Sequence, residues 1–110
     1  MSQQTVSIDQ LRTLAYTSIS GSYTAVGGVF SNAVRLICFT NTTDADMYFS
    51  NDGVNNYLIV PAGAFKLFDL TTNKFTNQQY WVMEAGTQWY VKQNSMPSKG
   101  SVYIECLWGQ

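Results

Sequence analysis

Along most of this chain apolar and polar residues alternate in short runs, each closed by a turn cluster, and no stretch sustains helical spacing. Residues 12–19 alternate loosely until Ser20-Gly21-Ser22 breaks the pattern, and residues 23–26 make a shorter run ended by Gly27-Gly28. The strongest run is 33–40, whose nearly continuous apolar side chains predict a central strand covered on both faces. Asn41-Thr42-Thr43-Asp44 closes it; residues 45–50 then run into the Asn51-Asp52-Gly53 reversal, and 57–60 stop at Pro61-Ala62-Gly63. In residues 64–70, Phe65, Leu67 and Asp69 fall on one side and Lys66, Phe68 and Leu70 on the other. Residues 80–84 and 87–92 predict a pair of strands around Ala85-Gly86. After the turn Met96-Pro97-Ser98-Lys99-Gly100, residues 101–108 make a closing strand.

Short strands with turn signals every ~8–12 residues are the mark of a sandwich or barrel. The expected fold is all-β: one antiparallel β-sandwich domain, jelly-roll-like, over residues 13–110. Residues 1–12 are polar and form an N-terminal arm, either one helical turn capped by Ser7 or an extended segment. At 110 residues the chain is the length of a single domain.

Composition sharpens the picture. Charged residues are 12% of the chain, against roughly 25% in an average soluble protein, while aromatics reach 15%. Lys and Glu are depleted at protein interfaces, and Tyr, Trp, Phe and Met are enriched there. A surface with few charges also lacks the self-repulsion that keeps copies apart. The expectation is a protein occupied by partners, its own copies included. The six cations (Arg12, Arg35, Lys66, Lys74, Lys92, Lys99) are scattered along a chain of net charge −1, a poor match to nucleic acid. No apolar stretch approaches membrane-spanning length, and the first residues lack the basic start and apolar run of a signal peptide. A cytoplasm-like place of synthesis follows.

The chain has no histidine, which removes the commonest general base and metal ligand together. Asp44, Asp46 and Asp52 are the only local group of acids, and they fall in and around turns, where short acidic residues belong. With Asn51 they could supply hard oxygens for calcium, but the spacing does not match a calcium loop. Neither catalytic residues, nor a cofactor, nor a metal site is expected. Asn41-Thr42-Thr43 spells a glycosylation sequon but reads as a turn. Cys38 and Cys106 lie in β-like apolar runs without metal or redox spacing, and read as free core thiols, with a disulfide left open.

The aromatics are the candidate functional residues. Adjacent residues of a strand face opposite sides, so one of each pair Tyr48 and Phe49, Tyr80 and Trp81, Trp89 and Tyr90 must point away from the core. With Trp108 these seven form the candidate interface. They also allow a different function, a small carbohydrate-binding module with an aromatic platform built on Trp81, Trp89, Tyr90 and Trp108.

The turns carry a resemblance. The sequence reads Asn41-Thr42-Thr43-Asp44-Ala45-Asp46, then Ser50-Asn51-Asp52-Gly53, Pro61-Ala62-Gly63 and Phe68-Asp69-Leu70, and ends with Tyr90-Val91-Lys92 and Ser101-Val102-Tyr103-Ile104. Over residues 34–105 this resembles small virion proteins of tailed bacteriophages, and among them the head decoration proteins, also called cement or staple proteins. The resemblance implies a non-enzymatic homo-oligomer in the virion, made in the bacterial host cytoplasm, bridging and stabilising subunits of the major capsid protein. Tail, collar and adaptor components of the same particles share this composition and are the alternative.

Overall fold

The computed structural model describes residues 6–70 and 83–109. Within them the strands are, in chain order, β1 (Val6–Ile8), β2 (Arg12–Ala15), β3 (Thr24–Ala25), β4 (Val34–Asn41), β5 (Met47–Ser50), β6 (Leu58–Val60), β7 (Phe65–Asp69), β8 (Tyr90–Gln93) and β9 (Ser101–Gly109). All pairings are antiparallel. The first sheet has the order β1-β9-β4-β7, with β2 on the same strand as β1, β9; the second has the order β3-β8-β5-β6. The two sheets pack as one antiparallel sandwich, as the alternation predicts.

The core lies between the sheets. β9 turns Val102, Ile104 and Cys106 inward, and β5 and β8 answer with Met47, Phe49 and Val91, all fully buried. Phe39 on β4 is the hub: its ring centroid stands 4.8 Å from Trp89, 5.1 Å from Phe49 and 6.0 Å from Phe68. The Trp89 and Phe68 contacts are edge-on, the arrangement the ring quadrupole favours. A register shift between Val34 and Leu36 lets both Val34 and Ile37 face inward, although they are three residues apart.

At the N-terminal end, residues 6–12 take the extended alternative. Val6–Ile8 pairs with β9, and Asp9 donates its N–H to the Cys106 carbonyl at 2.9 Å. Arg12 is itself a buried β2 residue, so the expected boundary between arm and domain runs through the first sheet. The Arg12 guanidinium is engaged throughout. It donates to the Gly28 and Val29 carbonyls at 2.9 and 3.2 Å, pairs with Asp9 at 3.1 Å and lies 4.8 Å from the Phe30 ring centroid. The expected 12–19 strand ends early, in a 3-10 turn at Tyr16–Ser18.

The expected pair around Ala85-Gly86 is not a hairpin in its described part. Met83 exchanges two backbone hydrogen bonds with Val34 of the first sheet, at 2.8 and 2.9 Å, whereas Tyr90–Gln93 joins the second sheet. The turn therefore carries the chain from one sheet to the other. The physical reason is Trp89, whose ring is buried against Phe39 and so commits the following residues to the facing layer. Residues 80–82 lie outside the described residues.

Asn41 ties the two layers together where the chain leaves β4. Fully buried, its side-chain amide donates to the carbonyls of Ala45 and Val60 at 2.8 and 2.9 Å, and its oxygen accepts from the Thr43 N–H and hydroxyl at 2.9 and 2.6 Å. The sequon asparagine is thus a structural bracket, as its turn context predicts.

Candidate functional site

The aromatic set divides along the strand alternation. Phe49 and Trp89 are core residues and leave the candidate interface, because a partner surface cannot reach them. Their neighbours Tyr48 and Tyr90 are half-buried on the other side of the second sheet, as the adjacency argument requires. The chain itself occupies them there. Lys92 places its ammonium 5.0 Å from the Tyr23 ring centroid and 5.9 Å from that of Tyr48, and Tyr48 donates to Asn94 at 3.3 Å. Tyr90 lies against Gly53, where an added Cβ would stand 3.6 Å from its ring. Trp108 is half-buried, opposite Ser7 and Val34 at the end of β9. Tyr80 and Trp81 lie outside the described residues.

Asp44 and Asp46 share the β4–β5 connection, and Asp52 lies in the β5–β6 loop. Asp44 accepts the Ser98 N–H at 2.8 Å and the Ser98 hydroxyl, which hold its carboxyl below the usual range. Asp46 accepts the Ala62 N–H at 3.0 Å. Asp52 organises the β5–β6 loop: it accepts from the Ser50 hydroxyl at 2.6 Å, the N–H groups of Val54 and Asn55 at 2.8 and 2.9 Å, and the Tyr57 hydroxyl at 2.9 Å. The Ser50 hydroxyl and these backbone donors hold Asp52 far below the ordinary carboxylate range. Among the described residues no group of three or more Cys, Asp and Glu converges to hold a metal.

The more informative surface is the outward side of the first sheet. Cross-strand register lines it up in rows. Phe65 stands opposite Thr40, which stands opposite Tyr103, which stands opposite Thr13. Next come Leu67, Cys38 and Glu105, and then Asp69, Leu36, Leu107 and Ile8. Ile8 is 81% exposed, Phe65 65% and Leu67 55%. Leu36, Cys38, Tyr103 and Leu107 are half-buried between them. Glu105 is the exposed charge in the middle row. Glu105 and Asp69 interrupt this face, but a patch of exposed apolar side chains on a small domain marks an interaction surface.

Sequence reasoning missed this face while recording its signal. β4 reads as covered on both sides, but among the described residues only its inner side meets a second layer. β7 is likewise apolar on both sides: Phe68 packs toward the core while Phe65 and Leu67 point outward, on opposite sides as their alternation predicts. The two cysteines also separate on this geometry. Cys38 faces outward opposite Glu105, and Cys106 faces inward opposite Ile37, so both are free thiols on opposite sides of one sheet.

A second feature lies beside β6 and β7, edge strands of the two sheets. A cleft of about 290 Å³ opens there, lined among the described residues by Asn51, Tyr57, Leu58, Phe68, Leu70, Met83 and Trp89. Among the described residues, the indole N–H of Trp89 is buried without an acceptor. Leaving such a donor unpaired costs about 1–3 kcal/mol.

Among the described residues, fold and surface together define a two-sheet antiparallel sandwich with exposed apolar side chains on the outside of one sheet. Compared with protein-family models, curated proteins and solved structures, the chain matches none.

Proposed function

We propose that this chain is a non-enzymatic structural protein that works by having the outward face of its first sheet covered by protein, and that it serves as a decoration or cement protein of a phage particle. One observation carries the reading. The face that carries the exposed or half-exposed apolar residues Ile8, Leu36, Phe65, Leu67 and Leu107 is more hydrophobic than water-facing strands require. Apolar and neutral contacts of this kind resist changes in salt that loosen ionic ones. Many copies bridging neighbouring capsid subunits would act multivalently and favour the lattice state they bind best. The strand order supports the jelly-roll part of this reading. With β1 and β2 counted as one interrupted edge strand, the sheets run first-eighth-third-sixth and second-seventh-fourth-fifth.

A tail, collar or adaptor component would use the same face on a different part of the particle. The sugar-platform alternative is weakened by Trp89, whose ring is buried against Phe39.

The test is native mass together with co-sedimentation on assembled tailed-phage heads. The expected result is self-association and saturable binding, both lost in Phe65→Glu/Leu67→Glu, whose exposed positions leave the fold intact. A strict monomer with no affinity for any phage particle overturns the proposal.

A further inference from the structure

We infer that a second copy of the chain covers the outward face of the first sheet, packed about a two-fold axis so that Glu105 of each copy accepts from the Tyr103 hydroxyl of the other. The inference rests on the reading that this face is covered by protein, and it names the occupant. Two polar groups point to it. Glu105 is exposed in the middle row opposite Cys38, and among the described residues it has neither an ion pair nor a hydrogen bond. Tyr103 lies two residues earlier on β9, on the same side and half-buried opposite Thr40. Its hydroxyl has no hydrogen-bond partner among the described residues.

Covering the face takes water from both groups, and a carboxylate buried without a partner is costly. Any occupant must therefore bring a donor to Glu105. Another protein would have to supply a Lys or Arg there. A second copy supplies the Tyr103 hydroxyl, and at net charge −1 two copies repel each other little.

The rows of the sheet select the register. Facing sheets stand ~10 Å apart, a gap that a tyrosine and a glutamate side chain span together. A two-fold axis in the plane of contact lays β9 antiparallel on β9, with its rows in reverse order. An axis over the Glu105 row brings two carboxylates together. An axis between the Glu105 and Leu107 rows buries each carboxylate against an aliphatic side chain, and one over the Tyr103 row drops Leu67 onto the Gly63 turn. Only an axis between the Tyr103 and Glu105 rows gives each Glu105 a Tyr103, and it also sets Phe65 against Leu67 and Thr40 against Cys38. β4, β7 and β9 build this contact, whose Thr40 row lies roughly 20 Å along β4 from Val34, the residue that meets Met83.

The test uses the full chain in two ways. In sedimentation, Tyr103→Phe should weaken self-association about tenfold or more, since both bonds of the pair are lost at once, with the urea midpoint unchanged. In a Cys38→Ser background, Tyr103→Cys and Glu105→Cys are prepared separately, mixed and treated with a short bis-maleimide. The expected product is a linked pair carrying one of each, formed several-fold faster than either variant links to itself. Self-linking as fast as cross-linking overturns the register. Association abolished by Phe65→Glu/Leu67→Glu yet unaltered by Tyr103→Phe overturns the pairing and leaves the covered face standing, whereas association indifferent to both overturns the reading beneath it. A chain that stays monomeric while Glu105→Gln weakens its binding to phage heads assigns Glu105 to another protein's cation, and likewise overturns the inference.

Discussion

Ile8 on β1 and Leu107 on β9 stand directly opposite each other, and both are turned away from the core. Two aliphatic side chains paired on the wet side of a sheet add little to the folding of one copy, since much of their surface stays in solvent. They gain most when something covers them. Ile8→Lys combined with Leu67→Lys should therefore leave the denaturant midpoint nearly unchanged, within about 0.5 kcal/mol. The same pair should abolish concentration-dependent association in sedimentation. A large loss of stability without any change in association would show the face to be structural.

Cys38 reports on the same face without altering it. It is half-exposed outward between Leu67 and Glu105, whereas Cys106 is sealed inside, its thiol pushed up to about 11 chiefly by burial. Iodoacetamide should label Cys38 alone in the native protein, and both thiols after unfolding. Binding to a partner should slow labelling of Cys38. Equal rates for both thiols in the free protein would contradict the assigned orientations.

The Cys106 shift also sets a sign for alkaline stability. Its folded value lies above the unfolded thiol value of roughly 8.5, so its contribution is complete below that pH and drains away as pH rises toward about 11. Cys106→Ala should flatten this alkaline decline in urea midpoints while lowering stability at neutral pH.

Much of the fold was legible because strand alternation is a local rule. Phe65 and Leu67 point outward, Phe68 inward, Tyr48 outward and Phe49 inward, as adjacency along a strand requires. Which side a partner layer occupies is a global matter. The apolar run of β4 shows that two sides want covering, and only the assembled sheets reveal that one copy covers one of them. The same limit explains Trp89: adjacency says that either it or Tyr90 is inward, and the Phe39 ring decides. The course of Met83 onto the first sheet depends on that burial, so local pattern alone predicts a hairpin.

Asp52 and Asp44 make acid stability a test of the loops. Both carboxyls are held below their ordinary range by hydroxyl and backbone donors, so the folded state binds fewer protons than the unfolded one at low pH. Their contribution is present above about pH 4 and is lost as pH falls through the depressed folded values. Asp52→Asn should lower the urea midpoint at pH 7 and weaken its dependence on pH below 4. An unchanged acid slope would show that the loop holds its shape without this carboxylate.

Gly100 is the position where one added methyl group should do most harm. Its φ of +89° lies where only glycine rests easily, and a Cβ there would stand 2.3 Å from the Thr42 carbonyl oxygen. That oxygen belongs to backbone, which cannot rotate aside as a side chain could. Thr42 is also bound to this turn from both directions: its N–H donates to the Ser101 carbonyl at 2.9 Å, and its hydroxyl accepts the Ser101 N–H at 3.0 Å. Gly100→Ala must push apart the start of β9 and the end of β4, which together form the spine of the first sheet. A loss of about 2–4 kcal/mol is expected, read as a lower urea midpoint, whereas Gly21→Ala, with open space around it, should cost almost nothing. Equal stability of the two variants would mean that the Thr42–Gly100 contact is looser than its geometry states.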